Sequence, residues 1–222
     1  MRISVAIDGP AGAGKSTIAK IIAKKLNLMY INTGAMYRAV AMEAMEKNIS
    51  YNDIDKLNSL IDGMEMHFEK DNLILNGTDI QEQLSSLKVS NNVSNYAQVP
   101  EVRERLVKLQ RDMSKKYDVI MDGRDIGTVV LKDAPYKFFL TASAAERAQR
   151  RHEELKAKGM EVDFNEILKD MERRDFIDSN RKTDPLKKAE NAIEIDTTGL
   201  NIDQVVNKIL DYINNKNEAS VL

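Results

Sequence analysis

The segment GPAGAGKST carries the clearest chemistry in the sequence, because it satisfies the pattern G-x-x-x-x-G-K-[ST]. Its backbone N–H groups can surround phosphate oxygens, and the N-terminus of the helix expected after it adds partial positive charge. We expect Lys15 to reach the β and γ phosphates of a nucleoside triphosphate, Ser16 to ligate Mg²⁺ and Thr17 to donate to the α phosphate. The alternative is a glycine-rich turn that binds nothing, but such a turn has no need of the lysine and the hydroxyls. The residues predicted to bind the triphosphate are Gly9, Pro10, Ala11, Gly12, Ala13, Gly14, Lys15, Ser16 and Thr17.

A phosphate loop does not by itself say which reaction follows, because many enzyme classes share it. A GTPase needs a guanine-reading Asn-Lys-x-Asp string, and the string Asn180-Arg-Lys-Thr-Asp184 has the wrong order. Motor ATPases carry an acidic pair at the end of their second-motif strand, whereas Val119-Ile-Met-Asp122 ends in one aspartate followed by a glycine. The pattern therefore favours a small kinase.

The sequence NTGAMYR, residues 32–38, follows the second predicted strand, at the edge where open α/β sheets bind ligands. The Thr33 hydroxyl and the start of the next helix can hold an anion, and Arg38 can grip it with its guanidinium. Alone, the segment would also suit a plain capped helix.

The sequence DGRDIG, residues 122–127, follows a buried strand and presents one arginine, Arg124, with two carboxylates, Asp122 and Asp125. We expect these side chains near the phosphate loop, because parallel strands share one carboxyl edge. Asp122 either orders a water of the Mg²⁺ ion or caps a turn, and the sequence leaves both open.

The region from Ala144 to Lys182 shows two helical patterns split at Gly159, with ten basic and ten acidic residues. Such balanced charge predicts specific ion pairs rather than a basic tail that binds nucleic acid. Two groups of side chains each share a helix face: Arg174, Asp178 and Arg181, and Arg147, Arg150 and Arg151. A solvated face would explain either group alone. Phosphoryl transfer between nucleotides, however, requires several arginines to neutralise the moving charge.

Short apolar segments alternate with helical patterns along most of the chain, which is typical of an α/β protein with a parallel sheet covered on both faces. The predicted strands are Ile3–Ile7, Leu28–Asn32, Val119–Asp122, Tyr136–Leu140 and Ile193–Asp196, and the predicted helices are Lys15–Leu26, Ala35–Lys47 and Ile202–Ile213. We expect 214–222 to be a frayed tail.

Between Ser50 and Pro100 the chain departs from this alternation. The pattern predicts an inserted α+β subdomain from a short helix around Asp53 to Ile61, alternating segments Met64–Phe68 and Leu73–Leu75, a turn at Asn76-Gly77 and a polar helix Lys88–Ala97.

The composition limits the class of protein. The 222 residues include 33 Lys and Arg against 35 Asp and Glu, a formal net charge of −2 that gives no general attraction to nucleic acid or anionic lipid. Because there is no cysteine, disulfides, Cys-ligated metals and thiol nucleophiles are excluded. The apolar runs are far shorter than the ~20 residues that span a bilayer, and no signal-peptide pattern precedes the first strand. We expect a single cytoplasmic domain, 1–222, without nucleic-acid or membrane partners.

Five motifs in their order along the chain resemble the bacterial cytidylate kinase family: GPAGAGKST, TGAMYR, SNYAQVPEVRERLVKLQR, DGRDIGTVV and ERRDFIDSNR. The resemblance covers essentially the whole chain. It implies phosphorylation of CMP and dCMP with ATP and Mg²⁺, on a P-loop nucleoside monophosphate kinase fold. It also implies an inserted monophosphate-binding subdomain, which we place at 36–98, and a helical lid, which we place at 147–164. We expect a monomer.

The resemblance also implies roles for individual residues. Ser94, Arg103 and Asp125 would face the cytosine edge, Arg174 and Asp178 the sugar, and Arg38, Arg124 and Arg181 the acceptor phosphate. Thr33 stands where many members have serine and keeps the hydroxyl. The expected catalytic side chains are Lys15, Arg124, Arg150 and Arg151, with the last two closing over the phosphoryl group.

Two other functions remain as alternatives. One is a kinase for another monophosphate, such as UMP or AMP. A carboxylate with an arginine and a hydroxyl argues against it, because this set complements the amino donor and the two acceptors of cytosine. The other alternative is a nucleotide-dependent switch module with no acceptor.

Overall fold

The chain begins with a strand, a glycine-rich loop and a helix, as the sequence predicts. In the computed structural model, which describes residues 2–219 and the side chains of residues 2–216, β1 is Ser4–Asp8 and α1 is Lys15–Leu26. Ala6 packs into the core on one face of the sheet, and Val5 and Ile7 pack into the core on the other. β1 is therefore buried on both faces, and the phosphate loop starts at its carboxyl end.

The remaining elements follow in chain order. The other strands are β2 (Met29–Asn32), β3 (Met66–Glu69), β4 (Asn72–Leu75), β5 (Thr78–Asp79), β6 (Val119–Gly123), β7 (Tyr136–Thr141) and β8 (Ile193–Asp196). The other helices are α2 (Thr33–Glu46), α3 (Ile54–Asp62), α4 (Leu87–Ala97), α5 (Pro100–Lys116), α6 (Ala144–Ala157), α7 (Phe164–Asn180) and α8 (Ile202–Ala219). A 3-10 helix spans Gln83–Ser85, and a π-helical turn spans Ile126–Val130.

Five strands form one sheet in the order β2-β6-β1-β7-β8, and all their pairings are parallel. Apolar residues of α1 and α8 form the core on one face, and those of α2 and α5 contribute to the core on the other. This confirms the predicted α/β fold. Because the strands are parallel, the segments that follow β1, β2 and β6 meet at one edge.

A second, antiparallel sheet pairs β3, β4 and β5 within the region predicted as an insert. Asn76 and Gly77 join β4 to β5 with φ values of 49° and 79°, and such positive values at both positions are those of a two-residue hairpin turn. Leu57 and Leu73 belong to the same core as α2 and α5. The α+β character is observed, while the limits 36–98 stay a prediction.

The expectation of a frayed tail from Asn214 is wrong as far as Ala219, because α8 continues to that residue. Ile213 is buried, and Lys216 Nζ donates to Pro135 O at 2.8 Å, so the last turns still pack on the domain. Residues 220–222 lie outside the described part of the chain. No helix within residues 2–219 is long and apolar enough to cross a membrane.

Candidate active site

A cavity of about 1110 Å³ opens at the carboxyl edge of the parallel sheet. Its lining includes the predicted site residues Ala11, Gly12, Ala13, Gly14, Lys15, Ser16, Thr17, Thr33, Arg38, Ser94, Arg103, Asp122, Arg124, Asp125, Arg150, Arg151, Arg174, Asp178 and Arg181. Gly9 and Pro10 are not part of this lining. The fold thus brings side chains from distant parts of the sequence to one place, while their separate tasks stay predictions.

The phosphate loop wraps around its own lysine. Lys15 is 6% exposed, and its Nζ donates to Pro10 O at 2.7 Å. Burial, and then the positive charge of Arg124, hold the pKa of Lys15 well below its usual range. Gly9 adopts a φ of 148°, and a Cβ there would lie 2.2 Å from Leu140 O, so only glycine lets β1 turn into the loop.

Asp122, in β6, connects the phosphate loop to the second strand. Its Oδ2 accepts from Ser16 Oγ at 2.8 Å, and its Oδ1 accepts from Tyr30 Oη at 2.7 Å. A serine hydroxyl and a carboxylate are hard oxygen ligands of the kind Mg²⁺ prefers. No group of three or more acidic or histidine side chains suited to a metal occurs within the described residues. Ser16 and Asp122 therefore suit an ion that takes its remaining ligands from phosphate and water.

Asp125 is a buried carboxylate held between two arginines. Its Oδ2 accepts from Arg103 Nη2, and its Oδ1 accepts from Arg181 Nη2 at 3.3 Å. The Arg103 guanidinium also lies over the Tyr37 ring, 5.4 Å from its centroid. Burial raises the pKa of Asp125, although Arg103 and Arg181 act in the opposite direction.

Asp184 is a second partner of the same two arginines. Arg103 Nε donates to Asp184 Oδ2 at 3.1 Å, and Arg181 Nε donates to Asp184 O at 2.8 Å. Asp184 has a φ of 48°, in the left-handed region. Asp184 therefore pairs with Arg103 through its carboxylate and binds Arg181 through its backbone carbonyl, while Asp125 pairs with both arginines.

Three further arginines, Arg38, Arg124 and Arg174, crowd one wall of the cavity. Burial, then Arg174 and Arg124, lower the pKa of Arg38 to about 10, and burial and then Arg124 lower that of Arg174. Arg124 Nε donates to Asp178 Oδ2 at 2.8 Å. The Nε of Arg174 is buried and has no hydrogen-bond partner within residues 2–219. Mutually repelling guanidiniums in a buried wall are suited to an anionic ligand.

Ser94 and Thr33 contribute hydroxyl groups from two helices. Ser94 is 3% exposed on α4 and lines the cavity. Thr33 begins α2, and its Oγ1 donates to Asp122 O at 2.7 Å. Its hydrogen is directed at that carbonyl, so binding an anion, as the sequence predicts for Thr33, requires the hydroxyl to turn away from Asp122 O.

The arginines of α6 are held by different partners. Arg150 Nη2 donates to Thr197 O at 2.7 Å, and Arg151 Nη1 pairs with Glu154 at 2.8 Å. Arg147 is buried: its Nη1 donates to Ala11 O in the phosphate loop at 2.8 Å, and its Nη2 donates to Asp175 Oδ2 at 2.6 Å. The predicted ion pairs of this region are confirmed.

A family model described as cytidylate kinase matches residues 5–215. The chain belongs to the cytidylate kinase family. It is 66% identical over 211 residues to the cytidylate kinase of Clostridium perfringens (strain SM101), a match that covers 95% of this chain and 97% of that relative. It is 60% identical over 216 residues to the cytidylate kinase of Clostridium acetobutylicum, a match that covers 97% of this chain and all of that relative. As a member of the cytidylate kinase family, the protein is a transferase of the nucleoside monophosphate kinase class.

The fold extends beyond the cytidylate kinase family. The shikimate kinase from Bacteroides thetaiotaomicron superposes with a TM-score of 0.50 at 11% identity, covering 96% of this chain and 99% of that one. This likeness shows the shared fold alone.

Four polar residues around the site are missing from the sequence-based set: Asp8, Tyr30, Arg147 and Asp184. Asp8 stands directly before the phosphate loop at the end of a strand, which is a usable signal. Arg147 is visible only as one of three arginines on a charged helix. Tyr30 lies in an apolar strand pattern, and Asp184 lies in a loop before a proline, so no local pattern marks either one as a site residue.

Proposed function

We propose that this member of the cytidylate kinase family transfers the γ-phosphoryl group of ATP to CMP and dCMP. The observation that carries this proposal is the position of Asp125, a buried carboxylate held by Arg103 and Arg181 in the same cavity as the phosphate loop. A phosphate loop alone suits many reactions. A buried carboxylate, two arginines and the Ser94 hydroxyl in the same cavity as that loop favour a nucleotide acceptor.

We assign the donor site to residues 9–17. The N–H groups of the loop and the N-terminus of α1 favour the triphosphate, and Lys15 supplies a cation inside the loop. Mg²⁺ fits the Ser16 hydroxyl and the Asp122 carboxylate, which already lie 2.8 Å apart. When bound, Mg²⁺ would offset the negative charge of the phosphates.

We assign the acceptor phosphate to Arg38, Arg124 and Arg181, and the sugar to Arg174 and Asp178. An oxygen of the monophosphate forms the new bond to the γ phosphorus, the bond from that phosphorus to the β–γ bridging oxygen breaks, and ADP leaves. The acceptor oxygen is largely ionised at neutral pH, so the reaction requires no general base. The arginines hold the two nucleotides in line and neutralise the charge that moves between them.

We also propose that 36–98 acts as the monophosphate-binding subdomain and 147–164 as a lid. Arg150 and Arg151 would then exchange their present partners, Thr197 and Glu154, for the phosphates. We also propose that the protein is a cytoplasmic monomer. Its balanced charge favours small molecules over nucleic acid or membrane as partners, and a sequence without cysteine suits a reducing compartment.

Selection of the base provides the sharpest test of this function. A carboxylate at Asp125 can accept from the amino group of cytosine, whereas uracil has a carbonyl oxygen in place of that amino group. In Asp125→Asn the charge-assisted bond is lost, so kcat/KM for CMP should fall roughly tenfold to a hundredfold, and the preference for CMP over UMP should narrow. Steady-state kinetics with both substrates measure the CMP to UMP ratio, which is kcat/KM for CMP divided by kcat/KM for UMP.

The matched control is Asp184→Asn. This substitution removes a different carboxylate that also binds Arg103, and Asp184 is not among the residues that line the cavity. Asparagine also tolerates the left-handed backbone of this position. Arg103 keeps its bonds to Asp125 and to Ala97 O in this variant, so the CMP to UMP ratio should change far less than in Asp125→Asn. An Asp125→Asn protein that discriminates as strongly as the wild type would show that another residue reads the base.

A further inference from the structure

The carboxylate of Asp8 is buried beside the site, and no step of the proposed transfer uses it. Asp8 ends β1, is 3% exposed and precedes Gly9, the first residue of the phosphate loop. Its Oδ1 accepts from the backbone N–H of Ile126 at 2.8 Å, and its Oδ2 accepts from that of Gly127 at 2.7 Å. Both oxygens therefore hold consecutive backbone amides of another segment.

Those two amides directly follow Asp125. The carbonyl oxygen of Asp125 accepts from Val129 N–H at 2.8 Å, and the amide on the other side of the same peptide group donates to Asp8. The peptide group that follows Asp125 is therefore bound at both ends. Because a peptide group is planar, this restrains the position of the Asp125 Cα and of its Cα–C bond, from which the side chain leaves the backbone.

Asp8 itself has little freedom to move. β1 pairs with β6 on one side and β7 on the other, and Asp8 is in register with Gly123 and Phe139. The next residue, Gly9, packs so closely on Leu140 that a side chain would collide with its carbonyl. The Asp8 carboxylate therefore holds residues 126 and 127 in a constant position relative to β1.

We propose that Asp8 is a positioning residue for base selection. Its carboxylate binds the backbone that follows Asp125, and it thereby orients the Asp125 carboxylate toward the base and links Asp125 to β1, the strand that leads into the phosphate loop. The inference rests on the proposed role of Asp125 as the group that reads cytosine. It assigns no contact with either nucleotide to Asp8.

The first test is Asp8→Asn. The amide keeps one acceptor oxygen but turns an NH₂ group toward the second backbone N–H, so one of the two bonds is lost. We expect kcat/KM for CMP to fall about tenfold, and that for UMP to change much less, since Asp125 has no favourable contact with uracil. The CMP to UMP ratio should therefore narrow about tenfold.

Asp118→Asn is the matched control. Asp118 Oδ1 accepts from the backbone N–H of Ile3 at 2.7 Å, so it performs the same chemistry at the opposite end of the same sheet. We expect the CMP to UMP ratio of Asp118→Asn to equal that of the wild type. Thermal melting of both variants shows whether the protein remains folded.

The pH dependence of the wild-type ratio gives a second measurement that needs no variant. Burial raises the pKa of Asp8 to about 7, although the bonds from Gly127 and Ile126 oppose this. The charged groups that face it are Lys15 of α1, Asp125 after β6 and Lys137 of β7. At pH 8 most molecules have an ionised Asp8, which can accept hydrogen bonds from both backbone N–H groups. At pH 6 Asp8 is protonated in most molecules, and a protonated carboxyl group is a weaker acceptor. The CMP to UMP ratio should therefore fall severalfold from pH 8 to pH 6. Titration of the acceptor phosphate does not affect this ratio, because CMP and UMP carry the same phosphate group.

Comparison of the variants separates the outcomes. If Asp125→Asn narrows the ratio and Asp8→Asn does not, Asp8 does not position the base reader and the inference is wrong. If Asp8→Asn lowers kcat/KM equally for CMP and UMP, Asp8 acts through the phosphate loop and the inference is also wrong. If Asp125→Asn itself leaves the ratio unchanged, the proposed base reading fails first. A ratio that falls with pH equally in Asp8→Asn and in the wild type would assign the titration to Asp125 and contradict the role of Asp8.

Discussion

Replacement of Lys15 by alanine should lower kcat for transfer to CMP at least a hundredfold while the fold stays intact. The Lys15 ammonium lies inside the phosphate loop, where it donates to Pro10 O. In the transfer its charge would offset negative charge that develops on the β and γ phosphates, and such preorganised groups contribute about 3–4 kcal/mol to a transition state. A coupled assay of ADP release with saturating CMP measures the change.

Lys25→Ala is the matched control, because Lys25 is exposed at the end of the same helix. Its kinetics should equal those of the wild type. A Lys15→Ala protein with nearly normal turnover and an unchanged melting temperature would remove Lys15 from the mechanism.

Replacement of Arg181 by alanine should lower kcat/KM for CMP by about two orders of magnitude, through the acceptor rather than through ATP. Arg181 is assigned to the acceptor phosphate, and its guanidinium also contacts Asp125 and Asp184. Loss of a charge-assisted bond costs roughly 1.5–3 kcal/mol, and the Asp125 carboxylate loses one of its two arginines as well. We expect KM for CMP to rise, kcat to fall, or both, with little change in ATP binding.

Two further variants sharpen this measurement. Lys182→Ala removes the neighbouring exposed cation and should leave CMP kinetics unaltered. Arg181→Lys keeps the charge but loses the planar fork, so it should recover only part of the activity. Unchanged CMP kinetics in Arg181→Ala would reduce Arg174, Asp178 and Arg181 to a face of structural ion pairs.

Local patterns predicted the elements that build the sheet. The helix over Lys15–Leu26 begins and ends at the predicted residues, because a glycine in the left-handed region precedes it and Asn27, also left-handed, follows it. The strand Ile193–Asp196 also has its predicted bounds. These features depend on neighbouring residues, which a sequence displays directly.

Other elements depend on contacts that no local pattern displays. Helix α5, Pro100–Lys116, was not among the predicted elements, although Pro100 at its first turn and buried Val102 and Leu106 at helical spacing are visible signals. The π-helical turn Ile126–Val130 had no such signal, because its first amides bind the distant carboxylate of Asp8.

The candidate site divides in the same way. The motifs predicted the phosphate loop and the position of Asp125 near it, and the resemblance supplied the role of Asp125 toward cytosine. Neither predicted that Asp8 would bind the backbone after Asp125. Asp184 binds Arg103 across 81 positions of sequence. Such long-range pairs depend on how the chain folds back on itself, and spacing within a motif does not report them.

The most direct test of the kinase assignment and of base reading is ADP release from ATP and Mg²⁺, measured with CMP, dCMP, UMP and AMP in turn. We expect rapid release with CMP and dCMP and a kcat/KM for UMP lower by several orders of magnitude, because uracil has a carbonyl oxygen where cytosine offers its amino donor to Asp125. Equal rates with CMP and UMP would contradict base reading by Asp125. ATP hydrolysis that does not depend on any acceptor would contradict the kinase assignment and favour a nucleotide-dependent switch.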